Sequence, residues 1–173
     1  MADLRDVLIY LCENYPHPDE LSRARLAKMT YLADWRSAIT RGAQITDVDW
    51  IYNHYGPYVR EVEEIAESDP AFSVLKTTNL HGHEKNVIRS NYGSQTVDLS
   101  YEETEVLDYV ISVTAPMNWS DFVRLVYSTY PILTQPRYSV LNLVELAFTY
   151  KHDRKRFEWD VRQDSTTVNH AQA

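Results

Sequence analysis

Residues 20–41 carry two apolar faces on one helix, and that pattern limits the fold more than any other feature of the chain. On a wheel at about 100° per residue, Leu21, Ala24, Ala27, Tyr31, Leu32, Trp35, Ala38 and Ile39 form one arc, and Leu26, Met29 and Ala33 a second. Arg25 and Arg36 part the arcs on one side; Thr30, Asp34, Ser37 and Arg41 part them on the other. A helix with two apolar faces must be packed from two sides. The segment from about Glu20 to Arg41 is therefore expected as a central helix, ended by Gly42 where the chain turns left-handed.

The neighbours it needs can be read from the rest of the chain. Leu4, Val7, Leu8, Leu11 and Tyr15 recur at helical spacing over residues 3–15, and Pro16 and Pro18 end that run. Pro57 suits the first turn of a helix over Tyr58–Ser68, where its missing N–H is no loss. Ser100-Tyr101-Glu102-Glu103 fits a capping box ahead of Val106, Leu107, Val110, Ile111 and Val113, with Pro116 closing the helix. Trp119–Tyr130 reads as the next helix, Pro131 and Pro136 bracket a loop, and Ser139 to about Trp159 reads as the last helix. Phe72–Thr78 and Lys85–Ser90 have strand composition, joined by the polar segment Asn79–Glu84, with Thr96–Leu99 a weaker strand. The expected fold is α+β and predominantly helical: one compact domain over 1–162 with a long central helix and a small antiparallel hairpin. Residues 163–173 are expected as a flexible tail.

Charge narrows the partners. The formal net charge of -8 disfavours nucleic acid, because binding a phosphate backbone needs clustered lysine and arginine. Asp98–Asp121 holds six acids and no basic residue; it is either a solvated face or an acidic surface for a basic partner. The run Lys151-His152-Asp153-Arg154-Lys155-Arg156 suits the end of a helix, with a nucleic-acid contact as the sharper alternative. Cys12 lies among Val7, Leu8, Leu11 and Tyr15 and reads as a small core residue. No stretch approaches a membrane span, and the N-terminus lacks a signal peptide's pattern, so a cytoplasmic location is expected.

Two short blocks carry a resemblance. Leu26, Lys28, Tyr31, Ala33 and Asp34 stand at helical spacing, Gly42 and Ile45 follow, and Tyr55-Gly56-Pro57 closes an aromatic-rich segment. In this order the chain resembles the Panacea (SocA-like) antitoxin family, with Met29 in place of a usual leucine and Tyr58 in place of a commoner valine. The resemblance implies an antitoxin of a bacterial or phage toxin–antitoxin system, acting on a cognate toxin protein by direct contact. A proteolytic adaptor that delivers the toxin to a protease is the alternative within the family, and a DNA-binding regulator the alternative outside it.

The signature residues Leu26, Lys28, Tyr31, Asp34, Gly42, Tyr55, Gly56 and Pro57 read either as structural or as a contact site. Lys28 falls inside the main apolar arc, so it either snorkels or meets an acceptor. Asp34 is expected to anchor Tyr55-Gly56-Pro57 through hydrogen bonds. Trp50, Tyr52, His54 and Tyr58, flanking the second block, are expected near the surface as partner contacts. His81 and His83 could share a strand face as metal ligands, but no third ligand is specified. No nucleophile elbow, phosphate loop or paired-cysteine zinc site is present. The sequence therefore assigns no catalytic residue, metal or cofactor.

Overall fold

The computed structural model describes residues 1–78, 82–92 and 97–155. Asp3 caps the first helix, α1 (Leu4–Asn14), by accepting the Arg5 N–H at 2.8 Å. Tyr15 ends it in extended conformation, as a residue before proline prefers. A single 3₁₀ turn, Pro18–Glu20, leads to α2 (Arg23–Arg41). Ser22 caps α2 and Gly42 closes it at φ 79, its N–H returning to the Ala38 carbonyl at 3.1 Å.

Short strands β1 (Ile51–Asn53) and β2 (Gly56–Tyr58) pair antiparallel, with Tyr52 opposite Pro57. Helix α3 (Arg60–Ser68) follows, and then a second hairpin, β3 (Phe72–Thr78) with β4 (Glu84–Ser90), whose register runs from Phe72↔Ser90 to Thr78↔Glu84. Helices α4 (Tyr101–Thr114), α5 (Trp119–Tyr127) and the short α6 (Tyr130–Thr134) come next. Residues 143–155 form α7, where Asn142 accepts the Glu145 N–H at 3.2 Å. The Ser100–Glu103 capping box is complete, each residue's side chain accepting the other's N–H. No helix of the described residues is long and apolar enough to cross a membrane.

The fold is α+β and mainly helical, and α2 is its centre. Helices α1, α3 and α4 and strands β2 and β4 all pack on it. Leu26, Met29, Tyr31 and Ala33 are fully buried, so both apolar arcs are used. One core cluster gathers these with Val7, Leu8 and Leu11 of α1, Leu107 of α4, Phe122 of α5 and Leu143 of α7. Cys12 packs against this core, and burial pushes its thiol up to about 12, so it stays protonated.

The arginine between the arcs is also buried. Arg25, 3% exposed, donates to the Tyr15 hydroxyl at 2.8 Å and pairs with Glu20 at 3.4 Å. Its guanidinium lies over the rings of Phe122, Trp119 and Tyr15 at 4.7, 5.6 and 5.7 Å. The plane thus joins α2 to α5. Arg25→Ala should cost about 3 kcal/mol, since it removes packing, cation–π contacts and an ion pair together. Arg25→Lys should recover little, because an ammonium lacks the flat face. Urea unfolding of both variants measures this.

Four sequence expectations need correction. Pro57 does not open a helix: it sits in β2, an outer strand where a missing N–H is tolerated, and α3 starts at Arg60. The helix expected over Trp119–Tyr130 stops at Tyr127, because Pro131 cannot continue it and instead occupies the first turn of α6. The last helix starts at 143 instead of 139, since Val140 bridges Ile51 and the Leu141 N–H bonds to the Trp50 carbonyl at 2.7 Å. Residues 97–99 form no strand; Thr96, the end of the last helix beyond 155 and the tail over 163–173 lie outside the described residues.

Candidate functional site

Asp34 organises the chain that leaves α2. Its carboxylate, fully buried, accepts the N–H groups of Ile45 and Thr46 at 2.9 Å each, the Thr46 hydroxyl at 2.6 Å and the Trp50 indole N–H at 2.8 Å. Burial pushes this carboxyl up to about 6, while the four donors pull it down. The segment anchored is therefore 45–50 and not Tyr55-Gly56-Pro57, as sequence had suggested. Trp50 then meets Tyr31 edge-on at 5.5 Å, and the Tyr31 hydroxyl bonds with Thr129 at 2.8 Å. One turn of α2 thereby fixes both the approach to β1 and the α5–α6 break.

With 45–50 pinned, the β1–β2 hairpin is held over α2. Gly56 has φ 103, and a Cβ there would meet the Tyr127 ring at 3.4 Å. Gly42 faces open space at φ 79. Gly56→Ala should therefore cost about 2 kcal/mol and Gly42→Ala about 1 kcal/mol, because φ 103 lies further outside the left-handed well than φ 79 while the Tyr127 approach is ordinary van der Waals contact. Thermal unfolding of the pair tests that order.

Lys28 of α2 and Tyr55, Gly56 and Pro57 of the hairpin line one cavity of about 300 Å³. The two blocks of the sequence signature thus meet in space. Leu26, Tyr31 and Asp34 serve the core, Gly42 caps α2, and Pro57 is buried in β2. Tyr55 is the exception at 80% exposed.

Placement of the four expected contact residues divides them. Trp50 is 0% exposed and Tyr52 8%, so neither lies at the surface; the indole N–H is satisfied by Asp34, and Tyr52 sits under Arg137 at 5.8 Å. Tyr58 is half-buried and donates to Glu63 at 3.3 Å. His54 is exposed, edge-on to Tyr55 at 4.6 Å, with its carbonyl accepting from Arg137 at 3.0 Å.

The outer side of the hairpin is apolar and reaches further than sequence suggested. Residues 138–141 run along β1: the Tyr52 N–H donates to the Ser139 carbonyl at 2.9 Å, and the Tyr138 N–H to the Tyr52 carbonyl at 2.5 Å. Ile51, Tyr138 and Val140 remain exposed there, Tyr138 at 69%. Tyr138 also has φ 67, uncommon for a bulky residue. Its hydroxyl lies 3.5 Å from the His54 Nδ1, at the turn of the hairpin. Val144 and Phe148 add exposed apolar surface one turn apart on α7. Nothing in the spacing of 138–141 marks Tyr138 and Val140, because that segment's path beside β1 depends on the bridge from Val140 to Ile51.

The acidic stretch is mostly solvated, with Glu102, Glu105 and Asp108 exposed on α4 and Glu103 used in the capping box. Lys151, Arg154 and Lys155 are exposed at the end of α7, while Arg156 lies outside the described residues, as does His81.

A family model described as antitoxin SocA-like, Panacea domain, matches residues 26–131, from α2 into α6. No curated protein and no solved structure matches the chain.

Proposed function

The chain belongs to the SocA-like antitoxin family by its Panacea domain, and on that premise we propose that it neutralises a cognate toxin protein by direct contact through the outer face of the β1–β2 hairpin. The observation that carries this reading is the exposed set Ile51, Tyr55, Tyr138 and Val140 on one stapled edge. Exposed aromatic and branched residues on a rigid frame supply contact area at little entropic cost, which is what interface hot spots use. The hairpin is rigid because Asp34, Pro57 and the 138–141 segment fix it from three directions. Its mechanism is occlusion: the surface covers the toxin and assigns no catalytic role to this chain.

The test is co-expression. A toxin that copurifies with this chain is expressed alone and with it, while growth and toxin half-life are followed. Growth restored at unchanged toxin half-life supports occlusion; growth restored with a shortened half-life favours delivery to a protease. Absence of rescue by the intact chain removes the proposal.

A further inference from the structure

Lys28 lines the cavity between α2 and the hairpin and is 7% exposed, its ammonium still touched by solvent. It has no hydrogen-bond or ion-pair partner among the described residues. Burial pulls its pKa below the usual lysine range, and no carboxylate sits close enough to offset this. The other charged groups of the wall have partners: Arg23 pairs with Glu67 at 2.6 Å through one terminal nitrogen, its buried Nε remaining unpartnered, and Glu63 accepts from Tyr58 at 3.3 Å. Ala24, Ala27 and Pro57 supply apolar wall. A lysine withdrawn from most of its water and lacking an acceptor is a charge that an entering anion would stabilise.

We infer that this cavity is a carboxylate subsite, which takes an acidic side chain of the bound protein with the Lys28 ammonium as counter-ion. The identity of that protein rests on the antitoxin reading above; the subsite itself does not. Much of the lysine's desolvation is already incurred when the chain folds, so an entering carboxylate meets a preorganised charge that holds little water. Glu63 in the same wall is held by Tyr58 and exerts no resolved Coulombic effect on Lys28. The apolar walls match the short aliphatic stem of an Asp or Glu. Tyr55 belongs both to the cavity lining and to the exposed edge, so an acidic residue entering here lies beside the proposed docking face.

The free protein tests the subsite without any toxin. Lysine ε-CH₂ signals of ¹³C-lysine-labelled protein are followed by NMR during titration with N-acetyl-glutamate α-amide, its glutamine analogue and inorganic phosphate. Lys28→Met identifies the Lys28 signal. A saturable shift with the glutamate probe, at least tenfold weaker or absent with the glutamine probe, supports the subsite. Equal responses to both probes, no saturable response, or tighter binding of phosphate would overturn it. Lys28→Met, of similar volume and uncharged, is also expected to melt no lower than wild type; a melting temperature several degrees lower would show that the lysine holds the fold instead. If the subsite passes and the co-expression rescue fails, the carboxylate comes from some other protein and only the antitoxin reading falls.

Discussion

Asp34→Ala should lose about 4 kcal/mol of folding stability, a large part of what a domain of this size holds. The substitution leaves two backbone N–H groups, a hydroxyl and the Trp50 indole without their acceptor, all in a fully buried setting. Each orphaned donor costs about 1–3 kcal/mol, partly relieved by local relaxation. Asp34→Asn keeps one acceptor oxygen and removes the buried charge, so its loss should be smaller, about 2 kcal/mol. The wild-type carboxyl is pushed from 3.8 to about 6. A raised folded-state value means that this group's contribution is complete below the unfolded value and is lost as pH rises through about 6. Urea unfolding of wild type should show that component between about pH 4 and 6, and Asp34→Asn should lack it.

Tyr55→Ala combined with Tyr138→Ala should weaken toxin binding about 100-fold, close to 3 kcal/mol, with little change in melting temperature. Both rings are mainly exposed, so their removal leaves no cavity. Trp50→Ala makes the informative contrast. Its ring is fully buried against Tyr31 and bonded to Asp34, so its loss should cost about 3–5 kcal/mol of stability and affect binding only through the fold. Isothermal calorimetry on folded variants, with thermal melts alongside, separates the two effects.

How much of this could be read from sequence depended on the range of the interaction involved. The α2 wheel, the Ser100–Glu103 box and the β3–β4 pairing were legible because propensity, periodicity and capping act between residues close in sequence. The β1–β2 hairpin was not, since its strands are three residues each and Tyr-Gly-Pro reads equally well as a helix entry. The sequence signature pointed to the right segments, yet the partner of Asp34 came out differently: the carboxylate reaches residues 11 to 16 positions on, where a connection of unknown path precludes any wheel argument. Trp50 and Tyr52 illustrate the ambiguity of aromatic residues, which serve cores and interfaces alike until burial decides. Tyr138 and Val140 lie far from the signature in sequence and join it through backbone bonds to β1 and a contact of the Tyr138 hydroxyl with His54.

The two signature blocks, then, build a frame whose outward product is a stapled apolar edge with a buried cation behind it. Hydrogen–deuterium exchange of the chain, alone and saturated with the toxin proposed as its partner, tests that directly. New protection should appear over 51–58 and 138–148, with the exposed face of α4 unchanged. Protection confined to α4 or to the basic end of α7, with the hairpin exchanging as in the free chain, would contradict the account.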